Sequence, residues 1–140
     1  VELVLELKER CHVVALRGNH EAMLIDFLDA PASAGAALFV LNGGSATLAS
    51  YEIAPGEFRI PDEHLHFFRE LQVSWETEKW FFVHAGVPNI PLAKLDKAKH
   101  AETMMWIRSP FLSSTFKWEK RVVHGHTPAQ FPEVKPNRIN

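Results

Sequence analysis

The sequence has a single cysteine, Cys11, no long apolar run and almost no excess of charge. One cysteine cannot form an internal disulfide, so a reducing, cytoplasmic location is expected, with Cys11 as a small buried hydrophobe. No apolar stretch approaches the ~20 residues of a membrane-spanning helix. A formal net charge of −2 gives no general attraction to nucleic acid or anionic membranes, so neither is an expected partner.

The sequence also lacks an initiating methionine, and its first residues do not form the basic and apolar regions of a signal peptide. It begins inside an amphipathic segment, so a further segment is expected upstream. The 140 residues are enough for one domain with a core. A content of 46% hydrophobic and 23% charged residues is typical of a globular protein.

Hydrophobic periodicity predicts an α/β fold. Helices are expected over residues 1–10, 21–28, 45–50, from 60–63 onward, and 98–107. Strands are expected over residues 12–16, 73–78, 79–84 and 121–123, with a further strand beginning at 136–140. We predict Ser45 as the N-cap of its helix and residues 55–56 as a turn. Leu65, Phe68 and Leu71 should form the buried stripe of the helix that starts at 60–63.

Three of the predicted strands end in turns that contain histidine and glycine. They are Leu-Arg-Gly-Asn-His-Glu at 16–21, Phe-Val-His-Ala-Gly at 82–86 and Val-His-Gly-His-Thr-Pro at 123–128. Ligands of open α/β sheets bind at the carboxyl ends of the strands. We therefore expect the three turns to build one site together.

The residues in these turns have the chemistry of a metal site. The amide oxygen of Asn19 can ligate a divalent metal, and His20 can act as a general acid. His84 and one of the pair His124 and His126 can supply imidazole ligands, with Gly125 allowing close backbone approach. Each residue also has a structural interpretation, since Asn is favoured at helix N-caps and an isolated histidine is usually a packed core residue.

Arg108 follows Met-Trp-Ile at 105–107 and precedes Ser-Pro. An arginine held beside a buried tryptophan can present its planar fork to a phosphate. The alternative is a surface arginine whose stem packs on its neighbours. Arg17, directly before the first turn, is a weaker phosphate candidate and is expected to be structural.

Taken together, residues 16–21, 83–87 and 124–128 resemble motifs of the phosphoprotein phosphatase family of calcineurin-like metallophosphoesterases. The bacterial and phage branch, serine/threonine protein phosphatases of the lambda phosphatase kind, is the most similar. Leu-Asn-Gly-Gly at 41–44 and Trp-Ile-Arg at 106–108 match that branch in order and spacing. The resemblance covers essentially the whole chain as one domain, residues 1–140.

The resemblance implies an αββα sandwich with two divalent metal ions at one edge, Mn²⁺ first and Fe or Zn as alternatives. It implies that Asn19, His84 and His126 ligate one metal, that His20 protonates the leaving group, and that Arg108 grips the phosphate. His124 is not a ligand by this comparison. The implied reaction is attack of a metal-bridging hydroxide on a phosphomonoester, either a phosphorylated protein or a small phosphate ester.

The sequence departs from the family in one large respect, because it contains no Gly-Asp dipeptide. The family's two earlier motifs, Gly-Asp-x-His-Gly and Gly-Asp-x-x-Asp-Arg-Gly, supply the first metal's ligands and the bridging carboxylate. The chain is therefore expected to be an incomplete copy that lacks the first strands and the last ones. Its three neutral ligands should hold at most one metal ion, and weakly, because hard cations prefer carboxylate oxygens.

Two other functions stay open on the sequence. One is a symmetrical dinucleoside-tetraphosphate hydrolase, which shares the family fold; Glu21 and the Trp-Ile-Arg match favour the protein phosphatase. The other is a catalytically silent chain that acts as a binding module, which the absent motifs support. Without upstream strands the sheet would have an unpaired edge, so self-association is also expected.

Overall fold

A computed structural model describes residues 1–140 and contains both helices and two small sheets. The chain divides into two compact units: residues 1–13 with 20–71, and residues 14–19 with 72–140. None of the helices has the length and apolar character needed to cross a bilayer. The mixed α/β class is thus confirmed, while the single domain over residues 1–140 stays a prediction.

The first unit is mainly helical. Its elements are α1 (Glu2–Lys8), α2 (Asn19–Asp29, with its first residue in the second unit), α3 (Ala34–Phe39), a π-helical turn (Val40–Gly44), α4 (Ser45–Ala49), strands β1 (Glu52–Ala54) and β2 (Glu57–Phe58), and α5 (Asp62–Glu70). The Ser33 hydroxyl caps α3 by accepting a hydrogen bond from the Ala36 amide at 3.1 Å. β1 and β2 pair antiparallel around the turn expected at residues 55–56.

Several details of this unit differ from the sequence predictions. Cys11 is exposed rather than buried, because it lies just beyond the end of α1. Ser45 is the first residue of α4, and Gly44 occupies the N-cap position, since the preceding π-helical turn carries the chain directly into the helix. On α5, Phe68 is buried as predicted, but His64 and Phe67 are the other buried residues of the helix. Leu71, just beyond the end of α5, is buried as predicted, whereas Leu65 is only half-buried.

The second unit is built on a four-stranded sheet in the order β3-β4-β5-β6. Its elements are β3 (Ser74–Glu76), β4 (Trp80–Val83), a 3₁₀ turn (Leu92–Lys94), α6 (Ala101–Trp106), a second 3₁₀ turn (Phe111–Ser113), β5 (Arg121–Val123) and β6 (Arg138–Ile139). β3 pairs antiparallel with β4, whereas β4, β5 and β6 run parallel. The carboxyl ends of β4 and β5 therefore meet at one edge, as the sequence predicted, but the third strand there is β6 and not the one expected at residues 12–16.

The core of this unit lies against the sheet. Its buried residues come from two strands, α6 and the loops between them: Phe81, Val83, Val87, Met104, Phe111, Trp118 and Val122. The Trp118 indole is buried and donates a hydrogen bond to the Pro88 carbonyl at 3.1 Å. Trp106, predicted to contact the core, is instead 37% exposed at the end of α6.

The strand predicted over residues 12–16 does not form. Within this segment only Leu16 pairs, through an isolated parallel bridge to Gln72. The Arg17 amide donates to the Gln72 carbonyl at 2.7 Å, and the Gln72 amide donates to the Ala15 carbonyl at 3.2 Å. An apolar run becomes a strand only where a neighbour supplies a continuous ladder of hydrogen bonds, and this run meets a partner at one residue.

Candidate metal centre at the sheet edge

The second unit brings the ends of β4 and β5 together just beyond the last strand residues. The Gly125 amide donates a hydrogen bond to the His84 carbonyl at 2.8 Å. The Ala85 amide donates to the Met104 carbonyl at 2.9 Å, which fixes the end of β4 against α6. Main-chain hydrogen bonds therefore fix the positions of His84 and of the turn at residues 125–127, independently of their side chains.

Asn19 reaches the same place from a different part of the sequence. It is the first residue of α2, and it follows the segment that is tied to Gln72 through Ala15 and Arg17. Its side chain is only 4% exposed. A buried amide needs a polar partner, and the Asn19 side chain has His84.

Three side-chain atoms converge at this point. The His84 Nε2 atom lies 2.9 Å from the Asn19 Oδ1 atom and 3.2 Å from the His126 Nδ1 atom. With its Nε2 protonated, His84 donates to the amide oxygen. With that nitrogen deprotonated, an amide oxygen and two imidazole nitrogens can present lone pairs to a common centre. The structure thus groups the three residues that the sequence predicted as ligands of one metal.

The backbone at His126 is unusual. Its φ is +64°, and it is the only residue of the chain other than glycine with a positive φ. The Thr127 amide donates to the Gly125 carbonyl at 2.7 Å, which closes a tight turn around His126. The left-handed region costs a residue with a side chain roughly 1 kcal/mol or more, and such strain concentrates at functional sites.

The His126 ring is packed on two sides. Its centroid lies 5.0 Å from that of His84, with an interplanar angle of 63°, and 6.1 Å from the Trp106 ring, at 78°. Both are edge-to-face arrangements, which aromatic rings favour. Trp106, exposed at the end of α6, therefore forms one wall of the His126 position.

The two separations from the His84 Nε2 atom are compatible with adjacent ligands of a divalent cation. Ligands at ~2.1 Å in adjacent positions of an octahedral ion lie about 3.0 Å apart. The measured separations of 2.9 Å and 3.2 Å bracket this value. The donor set is one amide oxygen and two imidazole nitrogens, which suits an intermediate metal such as Mn²⁺ or Zn²⁺ better than Ca²⁺.

The site contains no carboxylate. Across residues 1–140, no group of three or more His, Cys, Asp or Glu side chains is placed to hold a metal ion. The candidate centre therefore depends on the amide of Asn19 together with His84 and His126. A neutral ligand set gives no Coulomb attraction to a cation, so the affinity that these residues provide on their own is low.

The two other predicted site residues are not part of this cluster. His20 is exposed and lines a cavity of about 450 Å³ within the first unit, together with Glu21, Thr47 and Tyr51. Arg108 is exposed two residues beyond α6, and its carbonyl accepts a hydrogen bond from the Leu112 amide at 2.8 Å. Their assigned roles as proton donor and phosphate ligand stay predictions.

His124 has a structural position. Its ring packs edge-to-face on Phe111 at 4.8 Å, and its Nδ1 atom lies 3.2 Å from the Gly125 carbonyl oxygen. Burial lowers the pKa of His124, which favours the neutral ring. The ring is thus directed into the core.

Of the two glycines that follow the strand ends at this site, Gly86 and not Gly125 is required by the packing. A Cβ atom at Gly125 would lie 3.8 Å from the His84 carbonyl oxygen, an ordinary contact, so the idea that Gly125 permits close approach is wrong. A Cβ atom at Gly86 would lie 2.4 Å from the Phe111 ring. The neighbour of Gly86 is 25 residues away in the sequence, and no local pattern could have indicated it.

Sequence reasoning also missed Arg138, which is 1% exposed in β6. Its guanidinium donates to the Ser114 carbonyl at 3.1 Å and to the Leu112 carbonyl, and it lies 5.6 Å from the centre of the Phe111 ring. Arg138 therefore fastens the second 3₁₀ turn to the sheet. An arginine in a polar stretch near the end of the sequence gives no sign of such burial.

Comparison of the sequence with protein-family models finds no match, and comparison with curated proteins finds none.

Proposed function

We propose that this chain carries part of the active site of a metal-dependent phosphomonoester hydrolase, of the serine/threonine protein phosphatase kind. The observation that supports it best is that the Asn19 Oδ1 and His126 Nδ1 atoms lie 2.9 Å and 3.2 Å from the His84 Nε2 atom, at the ends of the parallel strands β4 and β5. The three residues are 65 and 42 positions apart in sequence. The reaction, hydrolysis of a phosphate ester, is proposed from the resemblance of residues 16–21, 83–87 and 124–128 to phosphatase motifs.

In this proposal Asn19, His84 and His126 hold one divalent ion, which supplies a Lewis acid that neutralises phosphate charge and lowers the pKa of water. His20 is exposed, as a residue must be if it is to deliver a proton to a leaving alcohol. Arg108 is also exposed, so its guanidinium can pair with two phosphate oxygens. The substrates are phosphorylated proteins or small phosphate esters.

The fold proposed is the αββα sandwich of the metallophosphoesterases, present here in part. Its support is the sheet β3-β4-β5-β6 with a run of parallel strands that ends at the ligand cluster. The family's second metal requires carboxylates that none of the three clustered residues provides. We therefore propose a single weak metal position within these 140 residues, with Mn²⁺ as its first candidate.

A binding module without catalytic activity is the second candidate. The observation that favours it is the absence of any carboxylate from the cluster, since a neutral ligand set neither holds a hard cation tightly nor orients water. A symmetrical dinucleoside-tetraphosphate hydrolase shares the proposed site and differs in its substrate. Hydrolysis rates on diadenosine tetraphosphate and on a phosphopeptide would separate these possibilities.

The direct test is paramagnetic broadening of amide NMR signals by Mn²⁺. We expect broadening centred on residues 19, 84 and 125–127. His126→Gly should abolish it, because glycine accepts the φ of +64° while removing the imidazole. His66→Ala is the matched control: it removes a histidine with a 73% exposed side chain and should leave the broadening unchanged.

Hydrolysis of an aryl phosphate with added Mn²⁺ tests the reaction itself. Activity that His20→Ala removes would support the enzyme, whereas broadening without activity would support the binding module. If Mn²⁺ broadens no signals around His84 and His126, the three side chains are only a hydrogen-bonded cluster and the proposal is wrong.

A further inference from the structure

A groove of about 410 Å³ begins at His126 and follows the loop after it. It is lined by residues 125–132 and Asn140, and we call it the 125–132 groove. We infer that this groove binds the organic part of the phosphate ester, and that the preferred group is an aromatic ring. The inference rests on the proposed function, since it takes the phosphate to lie at the metal held by His126.

The lining of the groove determines what it can accept. It contains no lysine, arginine, aspartate or glutamate, so it offers a phosphate no charge partner. Pro128, Ala129, Phe131 and Pro132 provide apolar surface instead. A groove without charge is suited to a neutral apolar group, because such a group loses no strong hydration when it enters.

Phe131 indicates an aromatic group in particular. Its side chain is 73% exposed, although it stands in the wall of the groove. A ligand ring can pack edge-to-face or offset on the phenyl ring of Phe131, which adds to the gain from burying its area.

The backbone that presents Phe131 is fixed on both sides. The Asn140 side-chain amide donates to the Thr127 carbonyl at 3.0 Å. The Asn140 and Glu133 main chains exchange two hydrogen bonds at 3.0 Å and 3.2 Å, and the Lys135 amide donates to the Arg138 carbonyl at 2.8 Å. Prolines at 128 and 132 restrict the chain between these anchors. Little ordering is then required when a ligand binds.

The groove is continuous with the candidate metal centre through one residue. His126 contributes its Nδ1 atom to the cluster with His84 and also lines the groove. A phosphate bound at the cluster therefore places the substituent on its ester oxygen at the mouth of the groove. Aryl phosphates put a ring at this position directly, whereas small alkyl phosphates leave the groove empty.

The test uses two phosphonates that cannot be hydrolysed, phenylphosphonate and methylphosphonate, titrated against the full chain with the diamagnetic ion Zn²⁺ and followed by amide NMR shifts. We expect phenylphosphonate to bind about tenfold more tightly and to shift Gly125, Gln130 and Phe131. Phe131→Ala should weaken phenylphosphonate about fivefold, the effect of losing one aromatic pair, and leave methylphosphonate unchanged. Val134→Ala is the control, since Val134 is 67% exposed in the same loop but does not line the groove.

The outcomes separate this inference from the proposed function. If Mn²⁺ broadens the cluster signals but the two phosphonates bind equally, or neither binds, the groove has no role and the metal centre stands. If phenylphosphonate shifts the groove signals in a Phe131-dependent way but Mn²⁺ broadens nothing, the groove stands and the proposed metal centre is wrong. Equal weakening by Phe131→Ala and Val134→Ala would also overturn the inference.

Discussion

Replacing Gly86 with alanine tests how the end of β4 is packed. The methyl group would lie 2.4 Å from the Phe111 ring, far inside the ~3.5 Å of a normal carbon contact. Gly86 also has a φ of +156°, which residues with side chains rarely adopt. Either the ring or the backbone after His84 must move.

The ring has little freedom to move. Phe111 is 0% exposed, and it packs against Trp118 at 5.4 Å and His124 at 4.8 Å, with Arg138 5.6 Å from its centre. Overpacking of a well-filled core costs about 1–3 kcal/mol. With the backbone strain added, we expect Gly86→Ala to reduce the free energy of unfolding by roughly 2–4 kcal/mol.

The measurement is urea unfolding followed by tryptophan fluorescence, with Gly125→Ala as the matched control. A methyl group at Gly125 meets its nearest atom at 3.8 Å, so this variant should lose less than about 1 kcal/mol. In a thermal melt, Gly86→Ala should lower the Tm of a chain of this size by about 6–16 °C.

A loss of less than about 0.5 kcal/mol in Gly86→Ala, or equal losses in the two variants, would refute this argument. Phe111 would then not be held against the end of β4 as the structure has it. The rigid placement of His84 in the candidate centre would lose its support as well.

Three further predictions concern stability. Arg138→Met should lower the free energy of unfolding in urea by about 2–4 kcal/mol, because two buried carbonyls lose their hydrogen-bond donor. Arg138→Lys should not restore this stability, since an ammonium group cannot donate in the forked geometry of a guanidinium. Hydrogen bonding to Lys120 lowers the pKa of Glu76, so the ionised Glu76 stabilises the fold above about pH 5, and this stabilisation is lost as the pH falls. In Glu76→Gln, the free energy of unfolding should therefore decrease less between pH 5 and lower pH, by under about 1 kcal/mol, and the same pH dependence in both proteins would contradict this. Ser33→Ala should cost about 1 kcal/mol and raise amide exchange in α3, whereas Ser33→Asn should not.

The sequence predicted most helices and strands to within a few residues. Local periodicity was sufficient for α2, α5 and β4, because each buries apolar residues on one face, and it also located α1, which buries none. It failed for residues 12–16, where the apolar run looks like a strand. A strand exists only through its neighbours, and the tertiary structure provides one bridge there, between Leu16 and Gln72.

The candidate site was predictable in composition but not in geometry. The position of Asn19, His84 and His126 at the ends of apolar segments, and the resemblance of their motifs, are properties of the sequence. Their separations of 2.9 Å and 3.2 Å come from the parallel pairing of β4 and β5 and from the bond between the Gly125 amide and the His84 carbonyl.

The mixed α/β class, the turns that carry amide and imidazole groups, and the lack of Gly-Asp motifs could all be read from the amino-acid sequence. The crowding at Gly86 rather than Gly125, the burial of Arg138 and the exposure of Phe131 beside His126 became known only from the fold. Side-chain type and periodicity are local properties, whereas crowding and burial depend on atoms that the fold brings from distant positions.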